Sequence, residues 1–223
     1  MSLDSIPNGL REAIVSDFQP VRPLHQAWVR TMLAVAILAV VLAFVLAKAS
    51  LRPDMDQLPM WLSWGCSILQ LALGILLIGL ALREAIPGEG IPRGAVRIAA
   101  LTALAVQILV GIATSIYSPA ITMPGSGIAP GIGCFKHETA MALPTFAVTL
   151  WLVFRALPLR APTAGLLGGA GATVASDAVI HLLCPMSNLS HVLVWHTGAV
   201  ILFMSVGWVS GMIWERLRWR RTS

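Results

Sequence analysis

Apolar runs about 20 residues long, parted by short polar punctuation, set the pattern of this chain. Six of them stand at roughly 29–47, 61–82, 95–117, 139–156, 163–183 and 191–214. Each approaches the ~20 residues that an α-helix needs to cross a bilayer. Arg, Pro and Gly fill the gaps, as in LREAIPGEGIPRG (82–94) and RALPLRAP (155–162). The runs lack the period-two polar alternation of membrane-barrel strands. The pattern predicts an all-α polytopic membrane protein, a bundle of six transmembrane helices over residues 29–214. A non-membrane segment, 1–28, precedes it, and a short basic tail, 215–223, follows.

Composition sharpens this. Hydrophobic residues make up 57% of the 223 positions and charged residues only 11%, whereas a globular domain carries about a quarter charged. The net charge of +5 does not imply nucleic acid, because the basic residues sit in short clusters between apolar runs. Six spans put both termini on one side. That side would carry Arg11, Arg22, Arg30, Arg83, Arg93, Arg97, Arg155, Arg160, Arg216, Arg218, Arg220 and Arg221; the other would carry Lys48, Arg52 and Lys136. Twelve against three places both termini in the cytoplasm of a bacterial inner membrane. Trp28, Trp61, Trp64, Trp195, Trp214 and Trp219 fall near the expected helix ends, as interfacial aromatic residues do. The AKA at 47–49 imitates a signal-peptidase site, but 28 residues before the run exceed what a signal needs, and the segment reads as a retained anchor.

Ahead of the first run, Leu10, Ile14, Phe18 and Val21 share one helical face, with Ser5 as cap and Pro20 as terminator. Such a stripe lies on the bilayer or docks a soluble partner. The loop at 118–137 is rich in Gly and Pro and is expected to be a pliable re-entry segment. Gly165/Gly169, Gly171/Ala175 and Gly207/Gly211 are small-xxx-small pairs that let helices approach closely.

Candidate chemistry gathers at the arginine-poor end. Cys134 and His137 would open the fourth span, and His181 and Cys184 would close the fifth. The reversed orders CFKH and HLLC therefore bring the same two groups to one level on antiparallel neighbours. His191, His196, Met123 and Met186 lie on the same side as further candidate ligands. Three readings compete: a structural Cys134–Cys184 disulfide, a redox-responsive thiol pair, or a soft metal site of Cys134, His137, His181 and Cys184 suited to copper, zinc or cadmium. Asp177 precedes His181 by four residues, and either orients its imidazole or is a carboxylate near the interface hydrated by water. Gln70 and Gln107 read as interhelical hydrogen-bonding residues, and Cys66 as a buried small hydrophobe. A metal or small-solute transporter would want more polar groups at mid-membrane depth, and a thiol oxidoreductase a C-x-x-C pair, which is absent. No enzyme signature and no obligatory cofactor emerge.

The chain resembles the six-helix membrane anti-sigma factors known as negative regulators of sigma F. The resemblance rests on DFQPVRPL (17–24), LRPD (51–54), the stretch from Cys134 to Pro144, LPLRAP (157–162), HLLCP (181–185) and WHTG (195–198). It implies a protein that holds an extracytoplasmic-function sigma factor inactive on the cytoplasmic side and touches no nucleic acid itself. It implies that two outer cysteines, here Cys134 and Cys184, respond to metal or oxidant stress. Residues 1–28 then become the sigma-docking segment, with Leu10, Ile14 and Phe18 as its apolar anchors.

Reporter domains active only in the periplasm should stay silent when fused to Met1 or to Ser223. Activity at either end would break the six-span topology.

Overall fold

The computed structural model describes residues 24–118 and 128–222, together with Gly9, Glu12, Ala13 and Ser16. Six long helices account for nearly all of it, and the described residues contain no strand. They are α1 (Ala27–Lys48), α2 (Trp61–Glu84), α3 (Arg93–Tyr117), α4 (Ile128–Arg155), α5 (Ala161–Leu183) and α6, which runs from Leu189 to Thr222. α2 opens with a π-helical turn, Trp61–Gly65, and α6 contains another, Val192–His196. Five of the six, α1, α2, α3, α5 and α6, are long and apolar enough to cross a membrane. In α4, Lys136, His137, Glu138 and Thr139 dilute the apolar run.

α4 departs from expectation at its start. The Gly/Pro-rich stretch up to residue 137 does not remain a loop, because the helix already begins at Ile128. Pro130 falls in the first turn, where the missing N–H is no loss. Gly131 is buried, and a Cβ there would overlap the Trp195 ring of α6. Cys134 therefore sits one to two turns inside α4, flanked by helix on both sides.

α5 is the axis of the bundle: 19 of its 23 residues are buried. Its sequence, GLLGGAGATVASDA, explains how. Where a neighbour crosses, α5 presents Gly or Ala, so backbones meet directly. A Cβ on Gly165 would strike the Gly207 carbonyl of α6, and one on Gly169 the Phe203 carbonyl. On the opposite face, a Cβ on Gly74 of α2 would lie 2.6 Å from Ala175 Cβ, and one on Gly171 would lie 2.7 Å from Gly74 O. In lipid such contacts hold helices together by dispersion, since burying an apolar side chain against protein gains little over lipid tails. Around this axis Leu38, Ile78, Leu82, Met141, Val153, Leu167, Val174 and Val200 fill the interior. Val40, Phe44, Ile68, Leu101, Leu109, Trp151, Ile201 and Trp208 face outward. A belt of that size would not stay soluble in water; it suits hydrocarbon.

Polar clips close the arginine-rich end. Glu84 pairs with Arg160 at 2.7 Å and accepts the Ile91 N–H at 2.6 Å, while Arg160 Nη2 donates to Ile91 O at 2.7 Å. The α2–α3 connection is thereby tied to the start of α5. Glu215 of α6 accepts the Ala161 N–H at 2.9 Å, answering one of the donors that a helix N-terminus leaves open. Arg30 of α1 donates to the Leu82 and Leu152 carbonyls at the ends of α2 and α4. The start of α1 and the later turns of α6 thus share one end of the bundle.

Gly169→Leu should lower both the amount of protein in the membrane and the thermal midpoint in detergent, because the added side chain meets backbone rather than a movable group. Overpacking of this kind costs about 1–3 kcal/mol or more. Gly198→Leu, where a Cβ would meet nothing within 4 Å, should be tolerated. Equal behaviour of the two variants would remove the close-packing argument.

Candidate functional site

At the opposite end, three helices aim polar side chains at one another. On α4, Cys134 and Glu138 are four residues apart and share a face. On α5, Asp177, His181 and Cys184 follow at intervals of four and three. Cys184 closes α5, its N–H donating to Ile180 O at 2.7 Å, and Pro185 prevents continuation. α6 starts four residues later, where Asn188 Oδ1 caps the turn by accepting the His191 N–H at 2.7 Å. His191 and His196 are five apart, a spacing that an ordinary α-helix would splay by about 140°. The π-helical turn between them widens the local pitch and brings the two rings together, with centroids 5.3 Å apart.

Cys134 Sγ lies 3.2 Å from Cys184 Sγ, with both thiols free, and Cys184 Sγ lies 3.4 Å from His191 Nε2. One donor atom each from Cys134, Cys184, His191 and His196 falls within 4.8 Å of every other. All but the half-buried Cys134 are buried. Beneath them, His196 Nδ1 meets Asp177 Oδ1 at 2.6 Å. Asp177 Oδ2 accepts from Gln70 Nε2 of α2 at 2.6 Å and from Gln107 Nε2 of α3 at 2.8 Å. Gln70 also donates to Gln107 Oε1 at 2.6 Å. Glu138 is fully buried, 3.4 Å from His196 Nδ1, and neither of its oxygens has a hydrogen-bond partner.

This arrangement differs from the expected one in its histidines. His137 is exposed and its Nδ1 donates to Gly133 O at 2.8 Å, within its own helix. His181 turns the other way, its Nε2 donating at 2.9 Å to Leu62 O in the π-helical turn of α2. Neither joins the thiols; His191 and His196 do. Asp177 accordingly holds His196, 19 residues further along the chain and on the next helix, instead of His181. Met186 packs in the apolar cluster that contains Cys184, and Met123, Leu10, Ile14 and Phe18 lie outside the described residues. Gln70 and Gln107 are interhelical partners of Asp177. Glu138 escaped sequence reading, although its position one turn after Cys134 was the available signal.

The ends of α5 and α6 at this site are set by Arg52 in the α1–α2 loop. Its N–H donates to Leu182 O at 3.0 Å and its Nη2 to Ser187 Oγ at 2.7 Å, bracketing Cys184 on both sides. The guanidinium is held bidentately by Asp54, Nε to Oδ1 and Nη2 to Oδ2, each at 2.6 Å. Ser118, at the end of α3, joins both. Burial opposes ionisation of Asp54, yet the Arg52 guanidinium and the Ser118 hydroxyl hold its carboxyl below the usual carboxylate range. A groove and a small inner gap border the site among the described residues. An apolar groove of about 820 Å³ between α1, α4 and α5 is lined by Phe44, Met141 and Leu183, with Cys134 and Cys184 in its wall. An inner gap of about 20 Å³ is bordered by Arg52, Asp177, Cys184 and His196.

A helical bundle with a lipid-compatible exterior and a thiol–imidazole cluster at one end is a polytopic protein of the membrane-helix class. A family model described as "Negative regulator of sigma F" matches residues 14–219, and the chain belongs to that family. Its role is therefore regulatory, that of an anti-sigma factor with a sigma factor as partner. No curated protein and no solved structure matches the chain.

Removing one partner of a buried ion pair costs about 3–5 kcal/mol. Arg52→Ala should therefore lower the thermal midpoint in detergent sharply at neutral pH. Because the folded Asp54 pKa is depressed, its contribution is complete above the unfolded carboxylate pKa and fades as pH falls through the folded one. The midpoints of wild type and Asp54→Asn should thus converge only in strong acid. A constant gap down to that acidity would show that the charge of Asp54 does not matter.

Proposed function

We propose that the chain is a six-span anti-sigma factor of the bacterial inner membrane. It holds an extracytoplasmic-function sigma factor at its cytoplasmic face and releases it when Cys134 and Cys184, on the periplasmic side, meet metal or oxidant. The observation that carries this reading is the 3.2 Å approach of two free thiols from different helices at the arginine-poor end. Thiols so placed are joined by loss of two electrons and two protons to an oxidant, or bridged by a thiophilic metal. Either event changes the spacing of α4 and α5.

The bundle favours transmission of that change. α5 meets α2 and α6 backbone to backbone, so it moves as a rigid rod with them rather than through yielding side chains. At the far end Arg160 and Ala161 connect the start of α5 to the α2–α3 connection and to α6. The inducer must bind one arrangement more tightly than the other, since equal affinity shifts nothing. α4 completes the six spans, with Cys134 and Glu138 turned toward α5 and α6. The sigma factor docks on residues 1–28, with Leu10, Ile14 and Phe18 as apolar anchors. Helical backbone at Gly9, Glu12, Ala13 and Ser16 is in keeping with that amphipathic segment.

A sigma-dependent reporter tests this directly. Cys134→Ser and Cys184→Ser should remain abundant in the membrane and repressing, but unresponsive to cadmium or to a thiol oxidant. Constitutive reporter output with low protein levels would reduce the cysteines to structural braces. Charged replacements of Leu10, Ile14 and Phe18 together should release the reporter at undiminished protein level; unchanged repression would move the docking surface elsewhere.

A further inference from the structure

The same cluster carries a more specific assignment, which rests on the reading that the outer thiols meet metal. We infer that Cys134, Cys184, His191 and His196 form a tetrahedral site for a zinc-class divalent cation, Zn²⁺ or Cd²⁺, with Asp177 as the carboxylate that aims His196. Two sulfurs and two imidazoles are the donor set that such d¹⁰ cations take in four-coordinate sites. Two thiolates also neutralise the cation's double charge, so the cation and its four donors together carry no net charge. Each thiol releases its proton to water as its sulfur–metal bond forms.

His196 shows how the site is prepared. Its Nδ1 donates to Asp177 Oδ1 at 2.6 Å, which fixes the tautomer and leaves the lone pair on Nε2. That Nε2 is buried and has no hydrogen-bond partner, an expensive state for an imidazole nitrogen unless something else occupies it. A ligating histidine whose other nitrogen donates to a carboxylate is the recurrent arrangement at zinc centres. Asp177 is itself secured by Gln70 and Gln107, so the ring has little freedom to turn away. His191 is oriented independently: Asn188 caps its turn and its Nε2 points at Cys184 Sγ from 3.4 Å. The inner gap of about 20 Å³, bordered by Cys184 and His196, has room for one species the size of a water molecule.

The two histidines expected from spacing are excluded by their own bonds. His137 is engaged with Gly133 O and exposed, and His181 is engaged with Leu62 O. In a tetrahedral site with zinc–sulfur bonds of about 2.3 Å, the sulfurs stand roughly 3.8 Å apart. Here they stand at 3.2 Å, so the cation parts α4 from α5 slightly. The same sulfurs cannot hold the cation and a disulfide together, so oxidation and metal binding exclude one another.

The experiment uses the full-length protein in detergent micelles with a non-coordinating reductant and both thiols verified free. Co²⁺ is the spectroscopic probe and Zn²⁺ the competitor. The expected result is one Co²⁺ per chain, with a thiolate charge-transfer band and the intense visible bands of a tetrahedral ion, all displaced by Zn²⁺. His191→Ala and His196→Gln should each weaken Zn²⁺ binding at least tenfold. Asp177→Asn should weaken it about 10- to 100-fold while one Co²⁺ still binds per chain. His137→Ala should bind as the wild type does. Helical circular dichroism and repression without metal establish that each variant is folded.

Absence of the charge-transfer band in the wild type overturns the site, as does wild-type affinity in both His191→Ala and His196→Gln. Loss of affinity in His137→Ala overturns the ligand assignment. The underlying functional reading fails separately: a chain that binds Zn²⁺ but does not repress the sigma-dependent reporter loses its anti-sigma role and keeps its site. One that represses without binding Zn²⁺ does the reverse.

Discussion

Where α5 crosses its two main neighbours there is no room for a side chain, and this constraint organises everything around it. Gly165, Gly169 and Gly171 bring the α5 backbone against Gly207, the Phe203 carbonyl and Gly74. In a bilayer the hydrophobic effect does little to hold helices together, so the close contact of many atoms must do so. α5 is consequently an axis with almost no exposed surface, and whatever it carries at its far end is buried with it. Asp177 and Cys184 are placed at the site because the small residues before them place the helix.

That burial sets a second demand. A carboxylate, two amides and an imidazole deep among apolar helices are costly unless each finds partners. Asp177 accepts bonds from Gln70, Gln107 and His196, which joins α5 to α2, α3 and α6 at one point. Glu138 has no such partners, although it sits beside His196. The contrast marks the space around His196 as polar but incompletely satisfied, whereas the arginine-rich end is closed by matched pairs such as Glu84–Arg160. Each end is tied by an ion pair, Glu84–Arg160 at one and Arg52–Asp54 at the other, but it is the second that also holds free thiols and the unpartnered Nε2 of His196.

The π-helical turns are the local device that makes the site compact. Without the one at Val192–His196, His191 and His196 would face different neighbours, and Asp177 would lose its partner. The other, Trp61–Gly65, contains the Leu62 carbonyl that engages His181 and so keeps that ring from the thiols. Arg52 then fixes the segment between α5 and α6 by bonding on either side of Cys184. Two π-helical turns and the bonds of Arg52 thus decide which imidazoles stand beside the cysteines.

The linear chain was sufficient for six helices, for their alternating direction, for the small-residue faces and for the arrival of Cys134 and Cys184 at one level. Each of these follows from hydropathy, from period 3.6 or from the reach of a 20-residue helix, all of which are local properties. It was not sufficient for the start of α4, where Pro130 and Gly131 read as loop yet are accommodated by a helix end and by the Trp195 ring. Nor could it choose among the histidines. His137 and His181 have the better α-helical spacing to the cysteines, but spacing fixes only angles about one helix axis. Which rings meet the thiols depends on a π-helical change of phase and on a carboxylate contributed from another helix. Those are properties of neighbours in space, and only the packed bundle supplies them.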